Sequence, residues 1–115
     1  MNTSIETMTI DELRIQVCEA NRALPASGLV RLTWGNVSGI DRASGLWGIK
    51  PSGVDYQALT PDDIVILDLA GRVIEGRLRP SSDTKTHLHL YHELPQIGGV
   101  THTHSIHATT LCQAG

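Results

Sequence analysis

The sequence predicts a mixed α/β layered domain whose strands occur mainly as hairpins, rather than a doubly wound parallel sheet. Two features carry this prediction. Stretches near residues 10–24 and 81–95 have the apolar spacing and capping residues of helices, and the segment between them alternates short apolar runs with turn signals. At 115 residues the chain fits one domain, 1–115, with no linker, repeat or low-complexity segment in its sequence.

The first predicted element is an amphipathic helix at about 10–24, in which apolar residues recur every three or four positions. Thr9 or Asp11 can cap its start, and Pro25 and Gly28 are expected to close it. Its apolar face predicts a structural role.

Two hairpins are predicted in the middle of the chain. Residues 36–40 and 46–49 form two short strands joined by the turn "DRASG", and the apolar runs on either side of 70–71 form the second pair. Between the hairpins, "LTPDD" predicts a helical turn capped by Thr60, with proline at its first position.

The last third of the chain is predicted to fold as helix, strand and helix. A capping signal at 81–82 starts a helix that runs to Pro95. The side chains expected on its inner face are Leu88, Tyr91 and His92. The segment "IGGVTHTHS" predicts a short strand, and Ser105 can cap a further helix after it.

Composition and charge argue against several classes of function. The net charge of −3 offers no basic footprint for nucleic acid and no polybasic segment for a membrane. The two cysteines, Cys18 and Cys112, show no disulfide framework, so a reducing compartment is favoured. The sequence shows neither a signal-peptide pattern nor an apolar run of membrane-spanning length, and we expect a cytoplasmic protein.

All six histidines fall in the last quarter of the sequence, a clustering that points to metal chemistry. His102 and His104 are separated by one residue in a predicted strand, so they project from the same face, about 7 Å apart. Such a pair can supply two imidazoles to one cation, although the motif alone fits surface or core histidines equally well. Its place at the end of a strand favours the metal site.

The other histidines are weaker candidates for metal binding. His107 lies where the last helix is expected, and it is not predicted as a third ligand. His89 and His92 share a helix face, but for them and for His87 a partly exposed face is favoured over chelation. Imidazole suits zinc, copper, nickel and iron, and an added carboxylate extends the choice to manganese and magnesium.

Three short segments could hold an anion: "GNVS" at 35–38, "KPSG" at 50–53 and "PSSDT" at 80–84. Glycine lets backbone N–H groups approach a phosphate, serine adds a hydroxyl donor, and Lys50 adds a charge. The helix start at Ser82 and Asp83 also favours an anion. Taken singly, each segment fits a plain turn better, and Asp83 fits an ordinary helix N-terminal residue equally well.

Three longer segments carry a resemblance: "LTWGNVSGIDRASGLWGIKPSGVDY", "RPSSDTKTHLHLY" and "IGGVTHTHSIHAT". Together and in this order they resemble the L-ribulose-5-phosphate 4-epimerases of the class II aldolase/adducin family. The "LTWGNVS" and "KPSGVDY" forms resemble the epimerases more than the fuculose-phosphate aldolases. The resemblance implies a class II aldolase-like, three-layer αβα fold with a central, mainly antiparallel sheet.

The resemblance also implies a role for each matching residue. His102 and His104 would bind a divalent metal, zinc first, with manganese or magnesium as alternatives. Asp83 lies at that metal in the epimerases, whereas the aldolases have a catalytic glutamate at this position, so its role is either ligand or acid/base. The residues expected to bind the sugar-phosphate substrate are Gly35, Asn36, Lys50, Ser52, Gly53, Ser81 and Ser82.

The implied reaction, an isomerisation of arabinose catabolism, interconverts L-ribulose 5-phosphate and D-xylulose 5-phosphate. The metal would chelate the ketose carbonyl and a neighbouring hydroxyl and stabilise an enediolate. Cleavage of the C3–C4 bond gives glycolaldehyde phosphate, whose aldehyde rotates before re-addition inverts C4. Loops that hold the phosphate keep this fragment in place, which separates an epimerase from an aldolase.

The resemblance covers only the N-terminal half of these proteins, as if the chain were truncated. Their third metal histidine and their aspartate and tyrosine acid/base groups come from the second half. We therefore expect the catalytic groups to lie outside these residues and the isolated chain to be nearly inactive. A homotetramer with sites between subunits is implied by the family alone.

Three other functions stay open at this stage. One is a class II aldolase that cleaves a sugar phosphate and releases both fragments. Another is an adducin-like, non-catalytic interaction domain, against which the histidine pair counts. The third is a fragment without a function of its own.

Overall fold

Six strands form one sheet, and a helix packs on each of its faces. The computed structural model describes residues 8–27, 35–102 and 106–109, with side chains in 8–24 and 35–102. The helices are α1, Ile10–Ser27, and α2, Thr84–Glu93. The strands are β1 (Asn36–Asp41), β2 (Leu46–Ile49), β3 (Val65–Leu67), β4 (Val73–Glu75), β5 (Gly99–His102) and β6 (Ile106–Thr109).

The sheet order is β4-β3-β2-β1-β5-β6, and every neighbouring pair is antiparallel. Both predicted hairpins are confirmed, because β1 pairs with β2 and β3 pairs with β4. The turn predicted at "LTPDD" is a short 3-10 helix, Pro61–Asp63, closed by a capping box between Thr60 and Asp63. The result is the three-layer αβα arrangement predicted from the sequence.

Side chains alternate between the two faces of the sheet and form a core on each side. The core beneath α2 contains Ile40, Trp47, Ile49, Val65, Leu67, Tyr91, Ile97 and Val100. The core beneath α1 contains Leu13, Val17, Cys18, Leu59, Ile64 and Ile66. Cys18 is a buried free thiol in this second core. No helix in the described part of the chain has the length and apolar character needed to cross a membrane.

Helix α1 begins with a capping box. The Glu12 amide donates to Thr9 Oγ1 at 3.0 Å, and the Thr9 amide donates to Glu12 Oε1 at 2.8 Å, so Thr9 rather than Asp11 is the cap. The predicted end at residue 24 was wrong, because the helix continues through Ser27. Pro25 therefore does not end the helix but lies in its last turn, where it lacks the amide donor of other residues. Gly28 lies outside the described residues.

The N-cap of α2 is Asp83 rather than the predicted Ser81 or Ser82, and the helix ends at Glu93 rather than at Pro95. The inner face was also predicted incorrectly in part, because His87 and Tyr91 are buried whereas His92 is exposed. Residues 87 and 91 are four apart and share one stripe of the helix. His92 lies beside that stripe and contacts the Leu69 carbonyl at 2.6 Å.

The helix predicted after Ser105 is contradicted, since residues 106–109 form β6 and pair with β5. An edge strand with unpaired backbone groups favours a further strand, and the β-branched residues Ile106 and Thr109 suit that conformation. Ser105 itself lies outside the described residues.

Arg42, in the turn between β1 and β2, holds the C-terminal end of α2. Its guanidinium donates to the carbonyls of Tyr91 at 3.2 Å, Leu94 at 2.9 Å and Ile97 at 3.1 Å. It also lies over the Tyr91 ring, 5.5 Å from the centroid. A cation at this end of a helix satisfies free carbonyls and the negative end of the dipole.

We predict that Arg42→Met lowers the free energy of unfolding by about 2–4 kcal/mol, because three carbonyls lose a charged donor. Urea denaturation measures the change. Arg72→Met is the matched control, since the Arg72 side chain is 79% exposed and its pair with Asp68 lies at the surface; its loss should cost less than about 1 kcal/mol. Equal effects of the two substitutions would contradict the proposed anchoring.

Candidate functional site

A gap in the sheet opens where β1 and β2 part. The pairing of the two strands ends at Ser38 and Ile49. Val37, which precedes Ser38 in β1, therefore has no partner in β2. The fully buried amide of Asn21 in α1 takes that place. Its Nδ2 donates to the Val37 carbonyl, and its Oδ1 accepts from the Val37 amide, both at 2.8 Å. The chain after β2 is thereby free to leave the sheet at Lys50.

The departing segment joins the loop before α2 instead. Pro51 and Pro80 form an isolated antiparallel bridge. The Ser52 amide donates to the Arg79 carbonyl at 2.9 Å, and the Ser81 amide donates to the Lys50 carbonyl at 3.1 Å. The "KPSG" and "PSSD" segments, far apart in sequence, therefore lie side by side.

The space between these segments and the sheet is a pocket of about 410 Å³. Its lining residues are Asn36, Lys50, Pro51, Ser52, Gly53, Ser81, Ser82, Asp83 and His102. Two predicted site residues are not among them. Gly35 is buried beside the pocket, where its carbonyl accepts a hydrogen bond from the Tyr56 hydroxyl. His104 lies outside the described residues.

Asp83 does not use its side chain to cap α2, although it occupies the N-cap position. Asn36 Nδ2 donates to Asp83 Oδ2 at 2.8 Å and to Ser81 Oγ at 3.0 Å. Ser81 Oγ in turn accepts from the Asp83 amide at 3.1 Å. The Asp83 carboxylate is therefore held toward β1 and the pocket, rather than against the first turn of the helix.

His102 faces Asp83 from the neighbouring strand, directly across from Asn36 in the β1–β5 register. Its Nδ1 lies 2.8 Å from Asp83 Oδ2, but the two atoms are not aligned as a hydrogen bond, and Nδ1 is buried without a hydrogen-bond partner. A carboxylate oxygen and an imidazole nitrogen that meet in a pocket are groups of the kind that bind a divalent cation.

The described residues supply two such ligand groups and not a complete set. Within 8–24 and 35–102, no group of three or more His, Cys, Asp or Glu side chains converges. His89 is exposed on α2, as predicted, and His92 is exposed there rather than on the inner face. His104 and the side chain of His107 lie outside the described residues.

A buried network behind His102 was missed by the sequence reasoning, which assigned His87 to an exposed face. Ser38 Oγ lies 2.6 Å from His87 Nδ1 and 2.6 Å from the Tyr91 hydroxyl. The His87 ring centroid is 6.4 Å from that of His102, and His87 Nε2 is buried without a partner. The four-residue spacing of His87 and Tyr91 was the available signal.

Burial lowers the pKa of His87 from 6.5 to about 4, with the His102 charge acting in the same direction and Asp83 opposing both. Burial also raises the pKa of Tyr91, against the effects of its hydrogen bond to Ser38 and of the Arg42 charge. Both groups are therefore neutral at pH 7, and the network is a hydrogen-bonded, uncharged layer beneath the pocket.

Comparison with known proteins identifies relatives of the fold and of the sequence. A family model described as Class II Aldolase and Adducin N-terminal domain matches residues 15–115. Among solved structures, an L-fuculose 1-phosphate aldolase superposes with a TM-score of 0.77 and 32% identity, covering 90% of this chain and 48% of its own. YgbL of Klebsiella pneumoniae, a candidate aldolase, epimerase or decarboxylase, superposes with a TM-score of 0.74 and 26% identity. The match covers 85% of this chain and 46% of YgbL.

YgbL of Escherichia coli superposes with a TM-score of 0.74 and 25% identity, covering 84% of this chain and 45% of its own. The chain therefore spans about half the length of the solved structures that it matches.

We predict that His87 makes folding sensitive to acid. Between its unfolded pKa of 6.5 and its folded pKa of about 4, only the unfolded chain binds the proton, so its contribution to stability is complete above pH 6.5 and is lost as the pH falls toward 4. The full loss is about 3 kcal/mol. Urea denaturation at several pH values in a chelating buffer measures it, with His87→Gln as the comparison. Parallel pH profiles for the two proteins would refute this assignment.

Proposed function

Because the chain belongs to the class II aldolase and adducin N-terminal domain family, we propose that its pocket carries out metal-dependent aldol chemistry on a sugar phosphate. The observation that carries the proposal is the close approach of Asp83 Oδ2 and His102 Nδ1, which lie 2.8 Å apart. These atoms lie in a pocket that is also lined by Asn36, Lys50 and three serines.

Asp83, His102 and His104 would hold the cation, which we propose is zinc, with manganese and magnesium as alternatives. When bound, a divalent cation supplies Lewis-acid polarisation of a carbonyl oxygen. Asn36 fixes the orientation of the Asp83 carboxylate through its Nδ2 hydrogen bond of 2.8 Å. An outer group of this kind restricts a ligand to one geometry.

The opposite side of the pocket would bind the phosphate group. Ser52, Ser81 and Ser82 supply hydroxyl groups, and Lys50 supplies a charge. Gly53 has a φ of +77° and nothing within 4 Å of the position of a Cβ. The backbone there adopts a turn that favours glycine, which leaves this wall open to a ligand. Held by its phosphate, a cleaved two-carbon fragment stays in the pocket.

Within the family, we propose interconversion of L-ribulose 5-phosphate and D-xylulose 5-phosphate. Two features of the sequence support the epimerase reaction: the "LTWGNVS" and "KPSGVDY" forms, and the aspartate at 83 where the aldolases have glutamate. Asp83 Oδ2 accepts from Asn36 and lies against His102. A carboxylate constrained in this way suits a metal ligand better than a mobile acid/base group.

The second candidate is a class II aldolase that releases both fragments. The 32% identity to a solved L-fuculose 1-phosphate aldolase favours it. An adducin-like, non-catalytic role is less favoured, because Asp83 and His102 meet in the pocket. We propose that the acid/base groups lie outside these 115 residues, in the half that the longer relatives possess.

We predict that the chain binds Zn²⁺ or Mn²⁺ and that the His102→Ala/His104→Ala double variant loses more than about 100-fold in affinity. Calorimetric titration measures this. Asp83→Asn should also weaken binding, because it removes an anionic ligand, whereas His89→Ala on the exposed side of α2 serves as the matched control. Equal metal affinity in all four proteins would contradict the assigned site.

We predict that these 115 residues alone show almost no turnover. A chain extended to the length of the solved relatives should convert L-ribulose 5-phosphate to D-xylulose 5-phosphate without accumulating free glycolaldehyde phosphate. A coupled assay with an aldehyde trap measures both products. Cleavage of L-fuculose 1-phosphate with release of two fragments would instead identify the aldolase.

A further inference from the structure

Lys50 is a buried cation without an anionic partner among the described residues. Its residue surface is only 2% exposed, and the hydrogen bond found for its Nζ is a long one of 3.4 Å to the Pro51 carbonyl. Burial lowers the pKa of its ammonium group, and the charge of the exposed Asp55 opposes that effect. A buried ammonium is costly unless a neighbouring group compensates the charge.

The ring of Tyr56 is a second group that compensates this charge, beside Asp55. Lys50 Nζ lies 5.1 Å from the ring centroid, within the range in which an aromatic face attracts a cation. Tyr56 is 2% exposed and packs against Leu24 and Val37. Its hydroxyl donates to the Gly35 carbonyl. The ring is therefore fixed by apolar packing and by the hydrogen bond of its hydroxyl.

An aromatic ring and a carboxylate both stabilise an ammonium group, but only the ring leaves the ammonium N–H donors available to a ligand. The ring stabilises the positive charge without accepting a conventional hydrogen bond from the ammonium N–H groups. A carboxylate would instead occupy those donors and repel an incoming anion. Lys50, which lines the pocket with Ser52 and Ser81, thus keeps donors for a ligand while remaining in place.

We propose that Tyr56 is a positioning residue for the anion-binding side of the pocket: its ring orients the Lys50 ammonium so that it binds the substrate phosphate. This inference rests on the proposed function, because it assigns the partner of Lys50 as a phosphate monoester. The same tyrosine ties the "GNVS" and "KPSG" segments together through Gly35. The ring therefore acts on Lys50, and the hydroxyl acts on Gly35, so substitutions can separate the two roles.

The test is a set of substitutions that separates the ring face from its bulk and its hydroxyl. Tyr56→Phe keeps the face and loses the bond to Gly35, Tyr56→pentafluorophenylalanine keeps the shape and removes the attraction for a cation, and Tyr56→Leu removes the ring. Inorganic phosphate is titrated into the zinc-loaded chain by calorimetry. Each variant is repeated in a Lys50→Met background, and its melting temperature is recorded.

We predict that Tyr56→Phe changes phosphate affinity less than about 2-fold and that the fluorinated variant weakens it by about 3- to 30-fold relative to Tyr56→Phe. In the Lys50→Met background the two variants should bind phosphate equally weakly. Equal affinity of the phenylalanine and pentafluorophenylalanine proteins with Lys50 present would overturn the inference, as would an equal loss in both backgrounds. The matched ring shapes keep the test valid if Tyr56→Leu does not fold.

A second readout separates this inference from the proposed function. NMR titration of ¹³C-labelled lysine reports the pKa of Lys50 directly, and the fluorinated ring should lower that pKa relative to Tyr56→Phe. An unchanged Lys50 pKa overturns the inference and leaves the proposed function standing. If the unsubstituted protein binds no phosphate while the Lys50 pKa still follows the ring, the phosphate side of the proposed function fails, and the positioning role falls with it.

Discussion

The site depends on one hydrogen-bonding feature of the sheet: the side-chain amide of Asn21 takes the place of β2 beside β1. Asn21 satisfies both backbone groups of Val37 where β2 has left the sheet. Without that amide, a buried N–H and a buried C=O would be left unpaired, or β2 would continue along β1 and close the gap. The pocket exists because the sheet opens at this point, and Asn36 and His102 line it from the strands that remain.

The second constraint concerns the two ends of α2. Its C-terminal carbonyls are held by Arg42 from the β1–β2 turn. At its N-terminal end, Thr84 bonds to the Ser81 carbonyl through both its amide and its hydroxyl. Because these contacts anchor the helix, the Asp83 carboxylate is not needed as a cap, and Asn36 can hold it against His102. A residue in an ordinary structural position thereby becomes available for chemistry.

Much of the fold could be predicted from the sequence, because its elements are set by local chemistry. Turn residues predicted both hairpins, and apolar spacing with Thr9 or Asp11 as the cap predicted the start of α1. The pocket residues were identified singly, but their convergence was not visible, since it arises from the Pro51–Pro80 bridge and the parting of β1 and β2. These are non-local contacts, and spacing in a sequence does not encode them.

The errors have the same physical origin. The strand after β5 was read as a helix because local signals outweighed the pairing that an unfilled sheet edge favours. His87 was predicted on a partly exposed face because no carboxylate partner is adjacent to it in the sequence, although the four-residue step to Tyr91 places it inside.

The central claim is that Asp83 and His102 together bind a divalent cation beside a phosphate-binding wall. The most direct measurement is the anomalous diffraction of a crystal soaked in Mn²⁺ and inorganic phosphate. We expect one strong manganese peak within ligand distance of Asp83 Oδ2 and the His102 imidazole, with phosphate density next to Lys50 and Ser81. A manganese peak elsewhere, or an Asp83 carboxylate that turns back to cap α2 while the metal is present, would contradict it.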